Sequence, residues 1–428
     1  MSLFKIRAWL RDRQKLLVLT AITCTAYSGA LARESTLLWG AAALLAATLI
    51  IGVIWPSRSL RALSVTRQAP NTVTAGDLVT FSITVANNGW LPRYFVDITD
   101  KLPFRARLDS QEPAARTTLG SIPFLPSQRA TQFSLPVPCE VRGCYTIGPI
   151  GLETSFPLGL ATQRYTNPQT MFTLIVYPAV FPIARLAING VAQLYQRAEL
   201  PLMAQDGDCE FHSLRDYQVG DSPRRVHWPS TARRGTLMVR TFEPQAQAMF
   251  RIVLNLTMGF DVGSGKHSTL EYSVTTAASL AHFAVKRGIP FRVVGNGTRH
   301  SDTAVGNGEQ HYQSVLHELA LVQADGEFDY SQSLSAVANT ATAGETVFVF
   351  LDNRDGVWDT ALAALAVMRN KHIGVHAFVF DRASFKTDTV QHHTASQLST
   401  KVEDALHSVC QQVRTVRRDH DLAGLFSS

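Results

Sequence analysis

The amino-acid sequence predicts a multidomain protein with an N-terminal pair of transmembrane helices, an all-β sandwich and a doubly wound α/β domain. Three observations support this fold class: two apolar runs near the N-terminus, short alternating segments in the first half, and strands that alternate with helices after residue 246. We place the domain limits at residues 1–56 for the helical hairpin, 57–182 for the sandwich, 183–245 for a linker with a polar segment, 246–385 for the α/β domain, and 386–428 for a C-terminal helix and tail.

Length and composition are those of a globular chain with more than one core. The 428 residues are 46% hydrophobic and 17% charged, with a formal net charge of +6. A chain of this length holds two or three domains of ordinary size. The positive charge is not massed on one segment, so we do not predict a nucleic-acid partner.

Two apolar runs, Leu16 to Leu31 and Leu37 to Trp55, predict a membrane-spanning hairpin. The second is close to the roughly 20 residues that a bilayer requires, and the first is shorter. A signal peptide is the alternative for the first run, because a basic start before a short apolar stretch is typical of one. The brief polar turn before the second run favours the hairpin.

Basic residues flank the hairpin on both outer sides. Five precede the first run and three follow the second: Lys5, Arg7, Arg11, Arg13, Lys15, Arg58, Arg61 and Arg67. Since positive residues favour the cytoplasmic side, we expect a multi-pass protein of the inner (cytoplasmic) membrane, with both termini and the folded bulk in the cytoplasm. Free cysteines suit that reducing compartment, although Cys139 and Cys144 could pair across a hairpin if the bulk were outside.

The region from Ser64 to about Pro182 alternates polar and apolar residues over short segments. Strands are predicted at Asp77–Ala86, Tyr94–Asp100, Ala130–Pro136, Cys144–Ile150 and Met171–Tyr177. Several short strands at this spacing, with Pro and Gly between them, indicate an antiparallel sandwich of the immunoglobulin-like type. We expect this domain to be a spacer or a docking surface.

Charged and aromatic residues concentrate between Asp206 and Glu243. The turn residues around Gly220 and Asp221 predict a rigid loop, and Thr236 to Phe242 alternates like a strand. Arginine side chains pair with carboxylates or phosphates and stack on aromatic rings. The residues that we predict to form a polar network or a partner-binding surface are Asp216, Tyr217, Gly220, Asp221, Arg224, Arg225, His227, Trp228, Thr231, Arg233, Arg240 and Glu243.

This segment resembles the signature of the domain-of-unknown-function 58 (DUF58) family of bacterial proteins. The residues that match in order and spacing are Gly220-Asp221, Arg224, His227-Trp228, Thr231-Ala232-Arg233 and Glu243. The resemblance extends from the first apolar run to about Phe380. It implies a partner of MoxR-type AAA+ ATPases, which are often encoded beside such proteins, and it implies no established catalytic activity.

Strands and helices alternate from Phe250 onward. Strands are predicted at Phe250–Leu256, Phe291–Val294, Thr346–Leu351 and Val375–Phe380, and helices at Ser268–Arg287, His311–Val322 and Thr360–Asn370. This rhythm predicts a doubly wound parallel sheet. A last helix is predicted from Thr400 to Arg418, where apolar residues recur at helical spacing.

The order of these elements resembles a von Willebrand factor A fold, in which a divalent metal sits at the carboxyl end of the sheet. The matching residues are Asn255, Thr257 and Gly259, with Asp261 or Asp352 as further oxygen donors. Asparagine is a poorer ligand for a hard cation than a carboxylate, and glycine has no side-chain oxygen. We therefore expect no cofactor, and we keep a degenerate Mg²⁺ site at Asn255, Thr257 and Asp352 as the alternative.

The sequence supports three hypotheses of function. The first is a membrane-anchored, cytoplasm-facing adaptor, not an enzyme, that works with a MoxR-type AAA+ ATPase in the assembly or maturation of client proteins. The second is a metal-dependent protein-binding domain of the A type. The third is an enzyme with His227 and Asp221 as an acid–base pair, although the sequence shows no nucleophile elbow or complete phosphate-binding loop. The oligomeric state stays open.

Overall fold

The structure is a computed structural model. It describes residues 3–102, 117–186, 188, 209–218, 226–244, 248–298, 302–353, 358–386 and 400–426. The chain divides into two compact units, Met1–Pro178 and Ala179–Ser428. The first unit holds two apolar helices and a β-rich region, and the second holds an α/β region.

The first unit begins with two long helices, α1 (Leu3–Arg33) and α2 (Thr36–Ser59). The turn between them passes through Glu34, whose φ is 44°. Across the turn the rings of Tyr27 and Trp39 meet edge to face, with centroids 5.3 Å apart. By length and composition both helices are able to cross a membrane. The predicted pair of apolar helices is therefore confirmed.

In the described part of the first unit, three sheets follow α2. Their strands are β1 (Leu63–Gln68), β2 (Thr72–Thr74), β3 (Leu78–Asn87), β4 (Arg93–Asp100), β5 (Thr117–Leu125), β6 (Ala130–Pro138), β7 (Gly143–Ile147), β8 (Ile150–Thr154), β9 (Gln163–Asn167) and β10 (Phe172–Tyr177). The strand orders are β1-β3-β6, β2-β10-β7 and β5-β4-β8-β9. Every pairing is antiparallel except that of β2 with β10. The all-β prediction for this region is confirmed.

The three sheets share one apolar core. Strand β3 buries every second side chain from Val79 onward, because successive side chains of a strand point to opposite faces. A buried ion pair joins Arg67 of β1 to Asp100 of β4. The guanidinium also lies over the rings of Phe81 and Phe172, 5.6 and 5.3 Å from their centroids. Burial lowers the pKa of Arg67, and the neighbouring carboxylate opposes that shift.

The second unit contains a hairpin and a larger α/β region. The hairpin is formed by β11 (Cys209–Asp216) and β12 (Met238–Pro244), with the short helix α3 (Trp228–Arg234) before β12. The remaining elements are β13 (Met249–Leu254), β14 (Gly263–Ser264), β15 (His267–Ser268), α4 (Thr269–Lys286), β16 (Phe291–Gly295), α5 (Glu309–Leu321), α6 (Tyr330–Thr340), β17 (Glu345–Asp352), α7 (Trp358–Asn370), β18 (Gly374–Phe380), α8 (Arg382–Phe385), α9 (Thr400–Val409) and β19 (Gln412–Val416).

The larger region is built on a five-stranded sheet with the order β16-β13-β17-β18-β19. All of its pairings are parallel. Strands β17 and β18 bury every residue, as expected for central strands covered on both faces. The chain leaves β13 first for one neighbour, β16, and then returns to the other, β17. Ligands of open α/β sheets commonly bind at the carboxyl ends of strands where the order reverses in this way.

The α/β prediction is confirmed, but two elements differ from the expectation. The helix predicted over Thr400 to Arg418 ends at Val409, and Gln412–Val416 forms the edge strand β19 instead. In that strand Arg414 and Val416 are buried and Thr415 is exposed, which is the period of two that a strand requires. Helix α6 was not predicted, because serines occupy much of its buried face.

Candidate functional site

The polar segment singled out in the sequence is built on the β11–β12 hairpin. The two strands are antiparallel, with Asp216 opposite Met238 and Glu210 opposite Glu243. Leu214 stands opposite Arg240 in the same register. The backbones of Arg240 and Glu243 are thus placed on β12, while their side chains lie outside what the structure describes. The strand predicted at Thr236 to Phe242 is confirmed, shifted two residues toward the C-terminus.

His227 directly precedes the short helix α3, and its backbone holds the first turn. Its backbone amide donates to the carbonyl of Met238 at 2.8 Å, which ties the helix start to β12. Its carbonyl accepts from the amides of Ser230 and Thr231, at 3.1 and 3.0 Å. Pro229 suits this position, because the first turn of a helix has no partner for its amide groups. The imidazole Nδ1 lies 2.7 Å from the Ser230 hydroxyl oxygen.

The far end of α3 is fixed as well. The Thr231 hydroxyl donates to the His227 carbonyl at 3.1 Å and accepts from the Met238 amide at 3.0 Å. Gly235 ends the helix with a φ of 74°, the left-handed conformation that glycine adopts most easily. Its amide donates to the Thr231 carbonyl at 2.9 Å. Thr231, predicted as a site residue, therefore joins the helix to the strand that follows.

The larger side chains of α3 face solvent. No residue of this helix is buried, and 65% of Trp228 is exposed. Arg233 and Arg234 are exposed on the last turn, where cations offset the negative end of a helix. Beneath the helix Val226 forms an antiparallel bridge to Val239, and both side chains are buried. A fixed backbone thus presents a tryptophan and two arginines to solvent.

The remaining predicted residues of the segment fall into two groups. Asp216 is exposed at the end of β11, and half-buried Tyr217 donates its amide to the Leu237 carbonyl at 2.8 Å. Gly220, Asp221, Arg224 and Arg225 lie outside the described residues. The acid–base pair of His227 and Asp221 therefore stays a prediction.

A second candidate lies at the carboxyl ends of β13 and β17, where the strand order reverses. A cavity of about 20 Å³ opens there. It is lined by Asn255, Asp329, Tyr330, Leu351, Asp352, Trp358 and Ala361. A space of this size holds about one water molecule. Two of the predicted metal ligands, Asn255 and Asp352, thus share one cavity.

The third predicted ligand, Thr257, is engaged elsewhere. Its hydroxyl donates to the carbonyl of Phe328 at 3.2 Å, and its amide donates to the Asn255 side-chain oxygen at 3.2 Å. A parallel bridge from Thr257 to Gly326 joins the two loops that carry these residues. Both loops expose a large apolar side chain, Met258 on one and Phe328 on the other.

An arginine supplies positive charge to Asp352. Arg382, the first residue of α8, donates from Nη1 to the Asp352 carboxylate at 2.9 Å and to the Gly259 carbonyl at 2.8 Å. The side chains of Arg382 and Asp352 are 19% and 4% exposed. The pair was not predicted, because thirty positions separate its members in the chain and only the adjacency of β17 and β18 brings them together.

These residues fit a divalent metal ion poorly. Hard cations are held by several carboxylate and carbonyl oxygens, and they are repelled by a cation already in place. Here the Asp352 carboxylate is paired with Arg382, the oxygen of Asn255 accepts a backbone amide, and Thr257 donates its hydroxyl proton to a carbonyl. Within the residues that the structure describes, no group of three or more His, Cys, Asp or Glu side chains could hold a metal.

The fold and the two sites define a class: a protein with two apolar N-terminal helices, a β-rich region of several sheets, and an α/β region built on a parallel sheet. Comparison with known proteins adds a similarity over part of the chain. Residues 213–415 match the family model "Protein of unknown function DUF58". The chain is 26% identical over 321 residues to "Uncharacterized protein YeaD" of Bacillus subtilis (strain 168), covering 74% of this chain and 77% of that protein.

Solved structures give weaker likenesses. BatB, a conserved hypothetical protein from Bacteroides thetaiotaomicron, is 11% identical, with 40% of this chain and 91% of that chain covered and a TM-score of 0.30. Proximal thread matrix protein 1 from the mussel byssus is 12% identical, with 42% of this chain and 46% of that chain covered and a TM-score of 0.31. Similarity at this level carries no statement about function.

Proposed function

We propose that the protein is a membrane-anchored adaptor, not an enzyme, which binds a partner protein through α3. The observation that carries this proposal is Trp228, most of whose ring faces solvent on a helix fixed at both ends. Tryptophan and arginine are the residue types that most often dominate the binding energy of protein interfaces. Trp228 with Arg233 and Arg234 is such a set, on a backbone that loses little freedom when it binds.

The anchor in this proposal is the pair α1 and α2. Both have the length and apolar composition of a membrane span. Arg58 and Arg61 are exposed at and just beyond the end of α2. Positive residues next to a span favour the cytoplasmic side, which supports an inner-membrane protein with its folded bulk in the cytoplasm.

The partner class rests on the family resemblance, which points to a MoxR-type AAA+ ATPase. The α/β region resembles a von Willebrand factor A domain in its order of elements, and such a domain would serve here as a binding module. Arginines on α3 favour an acidic surface on the partner, because a guanidinium pairs with carboxylates in a bidentate manner.

Co-purification tests this proposal. The full chain in mild detergent should retain its cognate MoxR-type ATPase, and Trp228→Ala should weaken the complex by about 2 kcal/mol or more, roughly thirtyfold in affinity. Phe328→Ala is the matched control, because Phe328 is 64% exposed in the same unit but outside α3. Melting curves of both variants should overlay that of the native chain. Failure of the native chain to retain the ATPase would refute the adaptor role.

The carboxyl edge offers a second candidate surface. Met258 and Phe328 are exposed on loops that are joined to each other by the Thr257–Gly326 bridge. Exposed apolar side chains on connected loops favour a protein contact. If Phe328→Ala weakens the complex and Trp228→Ala does not, the partner binds at the carboxyl edge and the assignment to α3 is wrong.

The orientation has its own test. Leu78 is 65% exposed at the start of β3, so Leu78→Cys gives a reactive thiol on the sandwich. A membrane-impermeant maleimide should label this cysteine in lysed cells and not in intact cells. Labelling in intact cells would place the sandwich outside the cytoplasm and would refute the proposed topology.

A further inference from the structure

One end of the sandwich lies beside α2. The connections at this end, called here the proximal loops, are residues 88–92, 126–129 and 155–162. Asn88 donates its amide to the carbonyl of Ala62, just after α2, at 2.9 Å. The amide of Gln128 donates to the carbonyl of Gly89 at 3.3 Å, which joins the second loop to the first. The proximal loops are thus held together where the chain leaves the helix.

The third proximal loop reaches the helix itself. The Leu160 methyl carbon Cδ1 lies 2.6 Å from the point where a Cβ on Gly52 would stand, and Leu158 Cδ1 lies 3.4 Å from it. A side chain at position 52 would require the Leu160 side chain to shift. Gly52 is seven residues before Ser59, about 10 Å along the helix axis at 1.5 Å per residue. This loop therefore lies alongside the apolar part of α2, not beyond its end.

Large apolar side chains are exposed on and beside the proximal loops. They are Trp90, Phe95, Phe124 and Leu158, with Trp90 81% exposed. Three of the rings at this end stack on one another, since Phe156 lies 5.1 Å from Tyr94 and 6.0 Å from Phe95 between centroids. Tyr94 also lies 5.3 Å from Phe124 between centroids, so that the exposed rings of Phe95 and Phe124 belong to one aromatic cluster. Large apolar side chains exposed together at one end of a domain favour a contact with something apolar.

The backbone at Phe95 adds an independent observation. Its φ is 48°, a left-handed conformation that is a genuine outlier for a bulky side chain. The pairing of β4 with β5 keeps one register across it, because Tyr94 pairs with Phe124 and Val96 with Ile122. The fold thus holds an aromatic residue in a strained conformation and turns its ring outward instead of into the core. Strain of this kind concentrates where a side chain serves a function.

The charged residues of the proximal loops have one sign. The three proximal loops contain no Asp or Glu. Arg129 is exposed in the second loop, and Arg58 and Arg61 are exposed where α2 ends. Basic residues beside an apolar surface suit anionic lipid headgroups, and amphipathic aromatic rings such as Trp90 favour the boundary between water and hydrocarbon.

We propose that the proximal loops insert into the membrane interface, so that Trp90, Phe95, Phe124 and Leu158 contact lipid beside α2. The sandwich then rests on the bilayer through its own side chains and does not merely follow a tethering helix. This inference rests on the proposed membrane anchoring, because the depth of Leu158 and Leu160 is set by Gly52 of α2.

Depth-dependent quenching of single labelled cysteines tests the inference. Replacing Cys24, Cys144 and Cys209 by Ser removes the cysteines other than the two buried ones, Cys139 and Cys410. Single cysteines are then introduced as Leu158→Cys at the proximal loops, Leu78→Cys at the opposite end of β3 and Leu44→Cys within the apolar run of α2. Each full-length variant carries an environment-sensitive fluorophore and is reconstituted in vesicles of phosphatidylethanolamine and phosphatidylglycerol.

The expected result separates the three positions. The fluorescence emission of the label at residue 158 should be blue-shifted. It should be quenched by lipids that carry a spin label near the headgroup, and it should be protected from quenching by iodide in the water. The label at residue 78 should be quenched by iodide alone, and that at residue 44 by lipids with a spin label deep in the acyl chain. If the label at residue 158 is quenched by iodide alone, like that at residue 78, while the label at residue 44 is quenched by the deep spin label, the insertion is refuted and the anchoring stands. If iodide quenches the label at residue 44, both the insertion of the proximal loops and the membrane anchoring are refuted.

Discussion

Replacing Arg382 by Ala tests whether Arg382 balances the negative charge of Asp352 at the carboxyl edge of the sheet. Arg382 Nη1 lies 2.9 Å from the Asp352 carboxylate and 2.8 Å from the Gly259 carbonyl. The substitution removes the guanidinium from a carboxylate that is 4% exposed. A carboxylate left in such surroundings loses both an attraction and a hydrogen bond, while its desolvation is unchanged.

The size of the effect follows from burial. Breaking a buried ion pair costs about 3–5 kcal/mol, and because the guanidinium is 19% exposed we expect the lower end, about 3 kcal/mol. For a folded unit of 150–250 residues, each kcal/mol moves the melting temperature by roughly 2–4 °C. We therefore expect Arg382→Ala to lower the melting temperature by roughly 6–12 °C.

Thermal unfolding of the full chain in detergent measures this effect. Arg417→Ala is the control, because its Nε lies 3.5 Å from Asp381 and its side chain is 49% exposed, so that it should cost less than about 1 kcal/mol. Mg²⁺ should leave the native melting temperature unchanged and should partly restore that of Arg382→Ala, since a divalent ion can then approach Asp352. An equal fall of the melting temperature in Arg382→Ala and Arg417→Ala, or stabilisation of the native protein by Mg²⁺, would contradict the assigned role of Arg382.

Two further predictions concern buried groups. Arg251 Nε donates to Glu345 at 2.9 Å inside the α/β core. Glu345→Ala should therefore lower the free energy of unfolding, measured by chemical denaturation, by about 3–5 kcal/mol. The double variant Arg251→Met with Glu345→Leu should recover most of this lost stability. No recovery would count against the pairing. Burial raises the pKa of Cys139 to about 11 and that of Cys410 to about 12, so at pH 8 both remain thiols. Mass spectrometry after maleimide treatment should find Cys144 modified and both Cys139 and Cys410 unmodified. Rapid modification of Cys139 or Cys410 in the folded chain would contradict the burial of that residue.

The sequence predicts the elements whose periodicity is unambiguous. Strand β17 was predicted because Thr346 to Leu351 is a short apolar run, and such runs form central strands. Helix α6 was missed because Ser331 and Ser333 share its buried face with Leu334. Strand β19 was mistaken for helix because Val409 and Val413 continue the helical spacing of α9 into a segment that alternates with period two.

The candidate sites divide in the same way. The polar segment was found because its charged and aromatic residues are neighbours in the chain. Helix α3 within it was missed, although Pro229 and Gly235 are the residues that typically begin and end a helix. The pairing of Asp352 with Arg382 is a tertiary fact, since the two residues come from different strand ends. Spacing along the chain carries no signal for it.

The contact between Arg382 and Asp352 has a consequence for control. An ion bound from solution departs when its concentration falls or when a chelator removes it. A guanidinium that belongs to the chain stays at the same effective concentration under all these conditions, because the fold itself delivers it to the carboxylate. We therefore expect the charge of Asp352 to be balanced when the protein folds and to be independent of the cellular concentrations of magnesium and calcium.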